Sequence, residues 1–215
     1  MTPAGARATR IGEIIAAVAR QCLADRGARR IALLDDESPE ADFAARILGA
    51  ALGDEGVVRV GVRRWEVEPL LHLAGPEASP ERVHDEVRRF RARLVPDAVV
   101  ANPANKTELL LGGELPPEPF LPLGDLYASE VAELAGGWSA SPEVRAVAQS
   151  AGGVEALDAA LRRWIDGRVP TGLDDLPPHV AALVELRFAA GRPARMAPRL
   201  VPKVGGRTIG IDLFQ

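Results

Sequence analysis

Apolar positions in the first half of the chain alternate between helical and extended patterns. From Ile11 to Cys22 the apolar residues recur at the spacing of one helix face. Residues 31–34 form a short continuous apolar run, which is typical of a strand buried on both faces. Residues 57–62 and the pair Val99 and Val100 have the same character. Because helical segments separate these runs, the pattern predicts parallel strands joined by crossover helices.

Serine–proline pairs mark the starts of two helices. Ser38 and Ser79 are each followed by proline. Serine caps the unpaired amides of a first helical turn, and proline fits the first helical position. The first of these helices is predicted to end at Gly53 and the second to run to about residue 94. The second carries four arginines between positions 88 and 93, which we interpret as a solvated face.

The rest of the chain is mostly helical in pattern. Helices are predicted over about 124–135, 142–151, 153–166 and 177–190, and 199–215 is predicted to be an extended tail. We expect a single domain over 1–215, with an α/β core over about 10–135 and a helical part over about 136–198. The expected fold is α/β and Rossmann-like, with a parallel sheet of about five strands, helices on both faces and a helical C-terminal third.

Composition narrows the class of protein. Apolar residues make up 47% of the 215 positions, charged residues 26%, and the net charge is −4. This balance excludes a disordered chain and a generic polycation, so we expect no nucleic-acid partner. Cys22 is the single cysteine, which excludes a disulfide within the chain. The N-terminal segment does not resemble a signal peptide, and no apolar run has the length of a membrane span. We therefore expect a cytoplasmic protein with no membrane partner.

Two linked motifs carry a family resemblance. Residues 102–112 read NPANKTELLLG and residues 122–135 read PLGDLYASEVAELA. Together they resemble the ammonia-dependent NAD synthetases, which have T-x-N-K-S/T-E-L-L-L-G followed by P-I/L-G-D-L-Y. The family belongs to the ATP pyrophosphatases of the PP-loop type, so the resemblance implies an adenine nucleotide hydrolase-like fold and a homodimer. It also implies conversion of deamido-NAD to NAD with ATP, Mg²⁺ and ammonia, through an adenylated intermediate.

The resemblance assigns roles to the matching residues. It implies nucleotide contacts for a set comprising Asn105, Lys106, Thr107, Asp125 and Tyr127, and it implies that Glu108 is an Mg²⁺ ligand. A second interpretation gives the same residues structural roles. In that interpretation Asn105 and Thr107 cap the short helix at Glu108, and Asp125 caps the helix of Tyr127. The sequence leaves both interpretations open.

The family's phosphate loop, S-G-G-x-D-S, is degenerate here. The matching segment after the first predicted strand consists of Asp35, Asp36, Glu37, Ser38, Pro39 and Glu40. Side chains in place of glycine obstruct the close approach of a phosphate, and carboxylates repel it. Proline offers neither a carboxylate for Mg²⁺ nor a backbone N–H group. The acids either complement the dipole of the following helix or form a new cation site.

These observations leave three functional hypotheses. The first is an NAD synthetase-like ligase that is weak or inactive because its phosphate loop is degenerate, with ATP and Mg²⁺ as cofactors if it is active. The second is a non-catalytic homologue that binds a ligand, such as a nucleotide or dinucleotide, or a protein partner. The third is a ligase for a different substrate.

Residues 29–52 also resemble the start of response-regulator receiver domains. In that family, paired acids after the first strand bind Mg²⁺ beside an aspartate that accepts a phosphoryl group. Here the accepting position would be Asn102, which cannot form an acyl phosphate. The segment PLGDLY has no place in that fold, so this interpretation is set aside.

Overall fold

A computed structural model describes residues 3–75, 77, 79–112, 117–191 and 199–204. Within these residues the first half of the chain alternates strands and helices, as the sequence predicts. The elements are α1 (Pro3–Arg26), β1 (Arg30–Leu34), α2 (Pro39–Leu52), β2 (Val57–Val60), α3 (Arg64–Ala74), α4 (Pro80–Arg93) and β3 (Ala98–Ala101). A turn of 3-10 helix, Asp54–Gly56, precedes β2.

The second half of the described chain is helical. It contains α5 (Lys106–Leu111), α6 (Ala128–Ala135), α7 (Pro142–Ser150), α8 (Val154–Leu161) and α9 (Pro178–Ala190), and a π-helical turn, Arg162–Asp166, continues α8. The predicted helices over 142–151, 153–166 and 177–190 are therefore confirmed. The helix predicted from residue 124 begins only at Ala128, because residues 123–126 form a tight turn in which the Leu126 amide donates to the Leu123 carbonyl.

The sheet is parallel, with the order β2-β1-β3. The prediction of about five strands is wrong: the described residues form three. Two further passages of chain pair only as isolated parallel bridges, from Ala101 to Phe120 and from Phe120 to Leu200. These bridges extend the sheet beyond β3 by single residues. The extended tail predicted over 199–215 is described only to residue 204, and the remainder lies outside the described residues.

Helices cover both faces of the sheet, as expected. Alternation along β1 sends Ile31 and Leu33 into one core with α1 and α2, and Ala32 and Leu34 into another. Ala92 of α4 packs in this second core. A third core lies among the C-terminal helices, and its buried residues include Leu110, Tyr127, Leu157 and Val180. No helix in the described part of the chain is long and apolar enough to cross a membrane.

α3 is absent from the predicted elements. Pro69 lies inside it, and a proline within an apolar pattern ordinarily ends a helix because it lacks an N–H donor. The helix is nevertheless fixed at its start, where the Arg63 amide donates to the Glu66 side chain at 2.7 Å. Among the residues of α3 whose burial is described, Val67 is the one buried hydrophobic residue. α3 is therefore a peripheral helix that contributes little to the core.

The core under α2 generates a direct stability prediction. Leu48 is fully buried in the core between α1, α2 and the sheet. We expect Leu48→Ala to lower the free energy of unfolding by about 2–5 kcal/mol, because it removes buried methyl groups and leaves a cavity. The matched change Leu186→Ala, at an exposed position of α9, should stay within about 0.5 kcal/mol. Urea unfolding followed by circular dichroism measures both, and equal effects would contradict the assigned core.

Candidate functional site

A cleft lies at the carboxyl ends of β1 and β3, where ligands sit in open parallel sheets. Its volume is about 570 Å³. The two segments that follow these strands meet there: Asp36, Ser38 and Glu40 come from the first, and Glu108 is in the second. Other lining residues come from α4 and from the start of α7, and they include Ser79, Glu81, Arg82, Asp85, Arg88, Arg89, Ser139, Ser141 and Glu143.

The loop after β1 satisfies its own backbone donors. The Glu37 amide donates to Asp35 Oδ1 at 3.0 Å, and the Ser38 amide donates to Asp36 Oδ1 at 3.2 Å. The Ala41 amide, in the first turn of α2, donates to Ser38 Oγ at 3.1 Å. Amides at this place are the donors that hold phosphate in a phosphate-binding loop. Here the loop's own aspartates and serine occupy three of them.

Asp35 is held away from the cleft by an ion pair with β2. Its Oδ2 lies 2.7 Å from Arg59 Nε, and Arg59 Nη2 lies 2.6 Å from Asp42 Oδ1. Burial on its own raises the pKa of Asp35, but the hydrogen bonds from Arg59 and the Glu37 amide outweigh it and leave the pKa below its usual value. Asp35 therefore stays charged and fastens the loop to the edge of the sheet. It does not line the cleft.

Glu40 ties α2 to the segment before α7. Its side chain is buried and accepts hydrogen bonds from the Ser139 amide at 2.9 Å and the Ser139 hydroxyl at 3.2 Å. Asn105 Nδ2 donates to the same carboxylate at 3.3 Å. Burial raises the pKa of Glu40 in spite of these bonds. A carboxylate thus stands where the family loop has its final serine, and it joins three parts of the chain.

Glu108 also lines the cleft. Burial is the main cause that raises its pKa to about 8, and the nearby negative charges of Glu40 and Asp36 add to the shift. A backbone hydrogen bond from Ser141 acts in the opposite direction but does not cancel it. Within the described residues no group of three or more His, Cys, Asp or Glu side chains is arranged to hold a metal ion. The role of Glu108 as an Mg²⁺ ligand stays a prediction.

Asn105 and Thr107 both have structural contacts. Asn105 caps α5, since its Oδ1 accepts from the Glu108 amide at 3.1 Å, as the structural interpretation predicts. Thr107 does not cap that helix. Its hydroxyl donates to Asp158 Oδ1 at 2.6 Å and accepts from the Ala128 amide at 2.9 Å, and so it links α5 to α6 and α8.

Lys106 is fully buried behind the cleft. Its Nζ lies 2.8 Å from Asp166 Oδ1, 3.5 Å from Asp125 Oδ1 and 4.7 Å from the centre of the Tyr127 ring. The Tyr127 hydroxyl donates to Asp166 Oδ2 at 3.2 Å, and burial together with this carboxylate raises the pKa of Tyr127 far above its usual value. Asp125 does not cap α6, because the N-cap position belongs to Tyr127, whose amide donates to Glu130 at 2.9 Å. Asp125 Oδ2 accepts instead from the Val204 amide at 2.8 Å.

The structure thus divides the predicted site residues into two groups. The loop residues Asp36, Ser38 and Glu40 line the cleft together with Glu108, whereas a second set, Asn105, Lys106, Thr107, Asp125 and Tyr127, is buried and does not line it. Asp35, Glu37 and Pro39 are not among the lining residues. The nucleotide contacts implied for the buried set stay predictions.

The arginines of α4 were not predicted as part of the site. The interpretation of residues 88–93 as a solvated face is wrong for Arg88 and Arg89, whose side chains are 14% and 13% exposed and line the cleft. Arg88 pairs with Asp85 at 3.0 Å, and Arg89 pairs with Glu118 at 3.0 Å. The sequence signal for these pairs was an acidic residue three positions before each arginine, because side chains at that spacing meet on one face of a helix.

Comparison with known proteins supports the fold. A solved structure of the NH3-dependent NAD synthetase from Campylobacter jejuni, in complex with a nitrate ion, matches with a TM-score of 0.63 and 15% sequence identity. The match covers 86% of this chain and 95% of that one. No protein-family model and no curated protein sequence matches this chain. At this level of identity the likeness defines a fold: the chain is an α/β protein similar in architecture to that NAD synthetase.

The buried lysine generates a second stability prediction. We expect Lys106→Met to lower the free energy of unfolding by about 3–5 kcal/mol, because it removes the cation beside the buried Asp125 carboxylate and the partly buried Asp166 carboxylate. Arg10→Met, at an exposed position of α1, is the control and should stay within about 0.5 kcal/mol. Adding Asp166→Asn to Lys106→Met should cost less than the sum of the two single changes. Strict additivity in urea unfolding would contradict the proposed coupling.

The carboxyl of Glu108 generates a pH prediction. The folded protein keeps this proton up to about pH 8, whereas the unfolded chain loses it near a pKa of about 4.3. The contribution of Glu108 to folding stability is therefore greatest below the pKa of the unfolded chain. This contribution falls as the pH rises towards 8, by at most about 1.4 kcal/mol per pH unit. We expect Glu108→Gln to gain stability over the natural protein as the pH increases. Urea unfolding between pH 5 and pH 8.5 (about three and a half units) tests this, with Glu143→Gln as the exposed control. A constant difference would contradict the prediction.

Proposed function

We propose that this chain is an NAD synthetase-like protein that does not carry out ATP-dependent ligation and serves as a non-catalytic binding module. The resemblance of two motifs and the fold shared with an NAD synthetase support the relationship. The state of the phosphate loop supports the loss of the reaction. A binding role remains because the cleft is still open and lined by hydroxyls and charges.

The observation that carries the proposal is the occupation of the loop amides. The backbone donors of Glu37 and Ser38 are bonded to Asp35 and Asp36, the carboxylates of the same loop. A phosphate would have to displace these acceptors and lie beside their negative charges. It would find no N–H group at Pro39. The residues present therefore do not fit the polyphosphate of ATP.

The charges of the cleft support the same conclusion. The acidic residues that line the cleft are Asp36, Glu40, Glu81, Asp85, Glu108 and Glu143, against the three arginines of α4. Because Glu108 keeps its proton up to about pH 8, five of these six carry the negative charge at neutral pH. Arg88 and Arg89 are already paired with Asp85 and Glu118, which compensates their charge. A cleft with surplus negative charge repels a polyanion such as the polyphosphate of ATP.

Calorimetric titration tests the proposal. We expect no saturable binding of ATP with Mg²⁺ at a dissociation constant below about 1 mM, which corresponds to roughly −4 kcal/mol. An NAD synthetase with an intact S-G-G-x-D-S loop serves as the positive control. ATP binding below that limit, followed by release of AMP on adding deamido-NAD and ammonia, would falsify the loss of ligase chemistry.

A parallel titration with deamido-NAD and with NAD identifies the kind of module. Saturable binding of either dinucleotide without ATP supports a ligand-binding homologue. If neither binds, the binding function lies at a protein interface. The third hypothesis, ligation of a different substrate, also requires ATP, so the first titration tests it as well.

A further inference from the structure

The charges that line the cleft are divided between two sets of elements. The arginines all belong to α4, and they are Arg82, Arg88 and Arg89. The loop after β1, α2, α5 and α7 contribute acidic residues, which are Asp36, Glu40, Glu108 and Glu143. No described lining residue from these four segments is basic. This part of the cleft, which we call the acidic side, therefore holds no cation of its own.

Two of the arginines on α4 have acidic partners of their own. Arg88 Nη1 lies 3.0 Å from Asp85 Oδ1. Arg89 Nε lies 3.0 Å from Glu118 Oε1, and Arg89 Nη1 lies 2.8 Å from Glu86 Oε1. Because both guanidinium groups are already paired, they offer little free charge to an anionic ligand.

Three carboxylates on the acidic side lack a positive partner. Asp36, Glu40 and Glu143 form no ion pair with any residue that the structure describes. Glu40 is 2% exposed, and its hydrogen bonds come from two neutral residues, Ser139 and Asn105. A buried carboxylate is ordinarily paired with a cation, because the loss of water around its charge is costly. Glu40 is thus a buried acid on the cleft that has no counter-charge in the described chain.

The net charge and the size of the cleft indicate what kind of ligand supplies that counter-charge. Even with Glu108 protonated, the charged acids of the lining outnumber its arginines by two. A volume of about 570 Å³ lies within the range of small-molecule sites and is far larger than a single metal ion. The unpaired carboxylates also come from three separate segments of the chain. A ligand with two positive charges on one flexible chain meets these conditions.

We propose that the cleft binds a linear aliphatic polyamine, with its ammonium groups beside Asp36, Glu40 and Glu143. Each ammonium group donates hydrogen bonds, and carboxylate oxygens accept them with the added attraction of opposite charges. The methylene chain between the ammonium groups packs against apolar lining residues, which include Pro103 and Ala104. This choice of ligand rests on the proposed function, because it concerns the same cleft.

Calorimetric titration of the full chain with putrescine, a linear diamine, tests the inference. We expect saturable binding with a dissociation constant below about 1 mM. We expect no binding of butanediol, which has the same carbon chain without the charges. Because salt screens the carboxylates, raising the salt from about 0.02 M to about 0.2 M should weaken the binding of putrescine by about fivefold or more. Failure to saturate with putrescine, or equal binding of butanediol, would overturn the inference.

Substitutions in the cleft locate the bound amine. Asp36→Asn removes a charge but keeps the oxygen that accepts from the Ser38 amide, and Glu143→Gln removes a second charge at the exposed start of α7. We expect the double variant, once circular dichroism shows that it is folded, to bind putrescine about tenfold more weakly. Glu68→Gln, at an exposed position of α3 outside the cleft, is the matched control and should stay within about twofold. Unchanged affinity in the double variant would overturn the inference.

Titrations with several probes distinguish a failure of this inference from a failure of the proposed function. If Mg²⁺ displaces putrescine and binds more tightly, the acidic side is a metal site and the inference is wrong. If neither ATP nor putrescine binds, the loss of ligation stands and the inference is wrong. If ATP with Mg²⁺ binds and putrescine still binds through Asp36 and Glu143, the proposed function is wrong and the inference stands. If putrescine binds and neither dinucleotide does, the binding function lies in the cleft and not at a protein interface.

Discussion

The buried ammonium group of Lys106 is the constraint on which the rest of the structure depends. A charge without water must be paired, and here two carboxylates and an aromatic ring surround it. Asp166 follows α8, Asp125 and Tyr127 precede α6, and Lys106 opens α5 directly after the sheet. The ion pairs and the ring contact of Lys106 therefore connect the α/β half of the chain to its helical half. Thr107 also connects the two halves, because its hydroxyl donates to Asp158 of α8.

In the function that we propose, this constraint gives a physical reason why the two motifs would be kept while the loop after β1 changed. Asn105, Lys106 and Tyr127 are needed to cap a helix and to hold a buried charge network, whatever the cleft binds. The loop after β1 has structural contacts of its own, and they involve its acidic residues. Its amides are bonded to Asp35 and Asp36, and the buried carboxylate of Glu40 fixes the approach to α7. The loop amides at this edge of the sheet are thus bonded to the chain's own carboxylates.

Local signals predicted most of the fold, and long-range contacts account for what they missed. Ser38 and Ser79 cap α2 and α4 as predicted, because capping depends on a few neighbouring residues. The predicted number of strands was wrong, because Phe120 and Leu200 extend the described sheet as single bridges between distant segments and not as strands. At the site, the composition of the loop after β1 predicted that its carboxylates repel phosphate. The burial of Lys106 and Arg89 was not predicted, because it depends on Asp125, Asp166 and Glu118, which are remote in sequence. Spacing alone does not identify such partners.

The most direct test of this account is a two-dimensional ¹⁵N–¹H spectrum of the folded protein, read at the amides of Glu37, Ser38 and Ala41. If the loop's own side chains hold these amides, adding ATP and Mg²⁺ to about 5 mM leaves their resonances in place. We expect acid to shift the amide resonances of Glu37 and Ser38, because it protonates the carboxylates to which these amides donate. Saturable shifts of the three resonances with ATP, and no response of the first two to acid, would contradict the account.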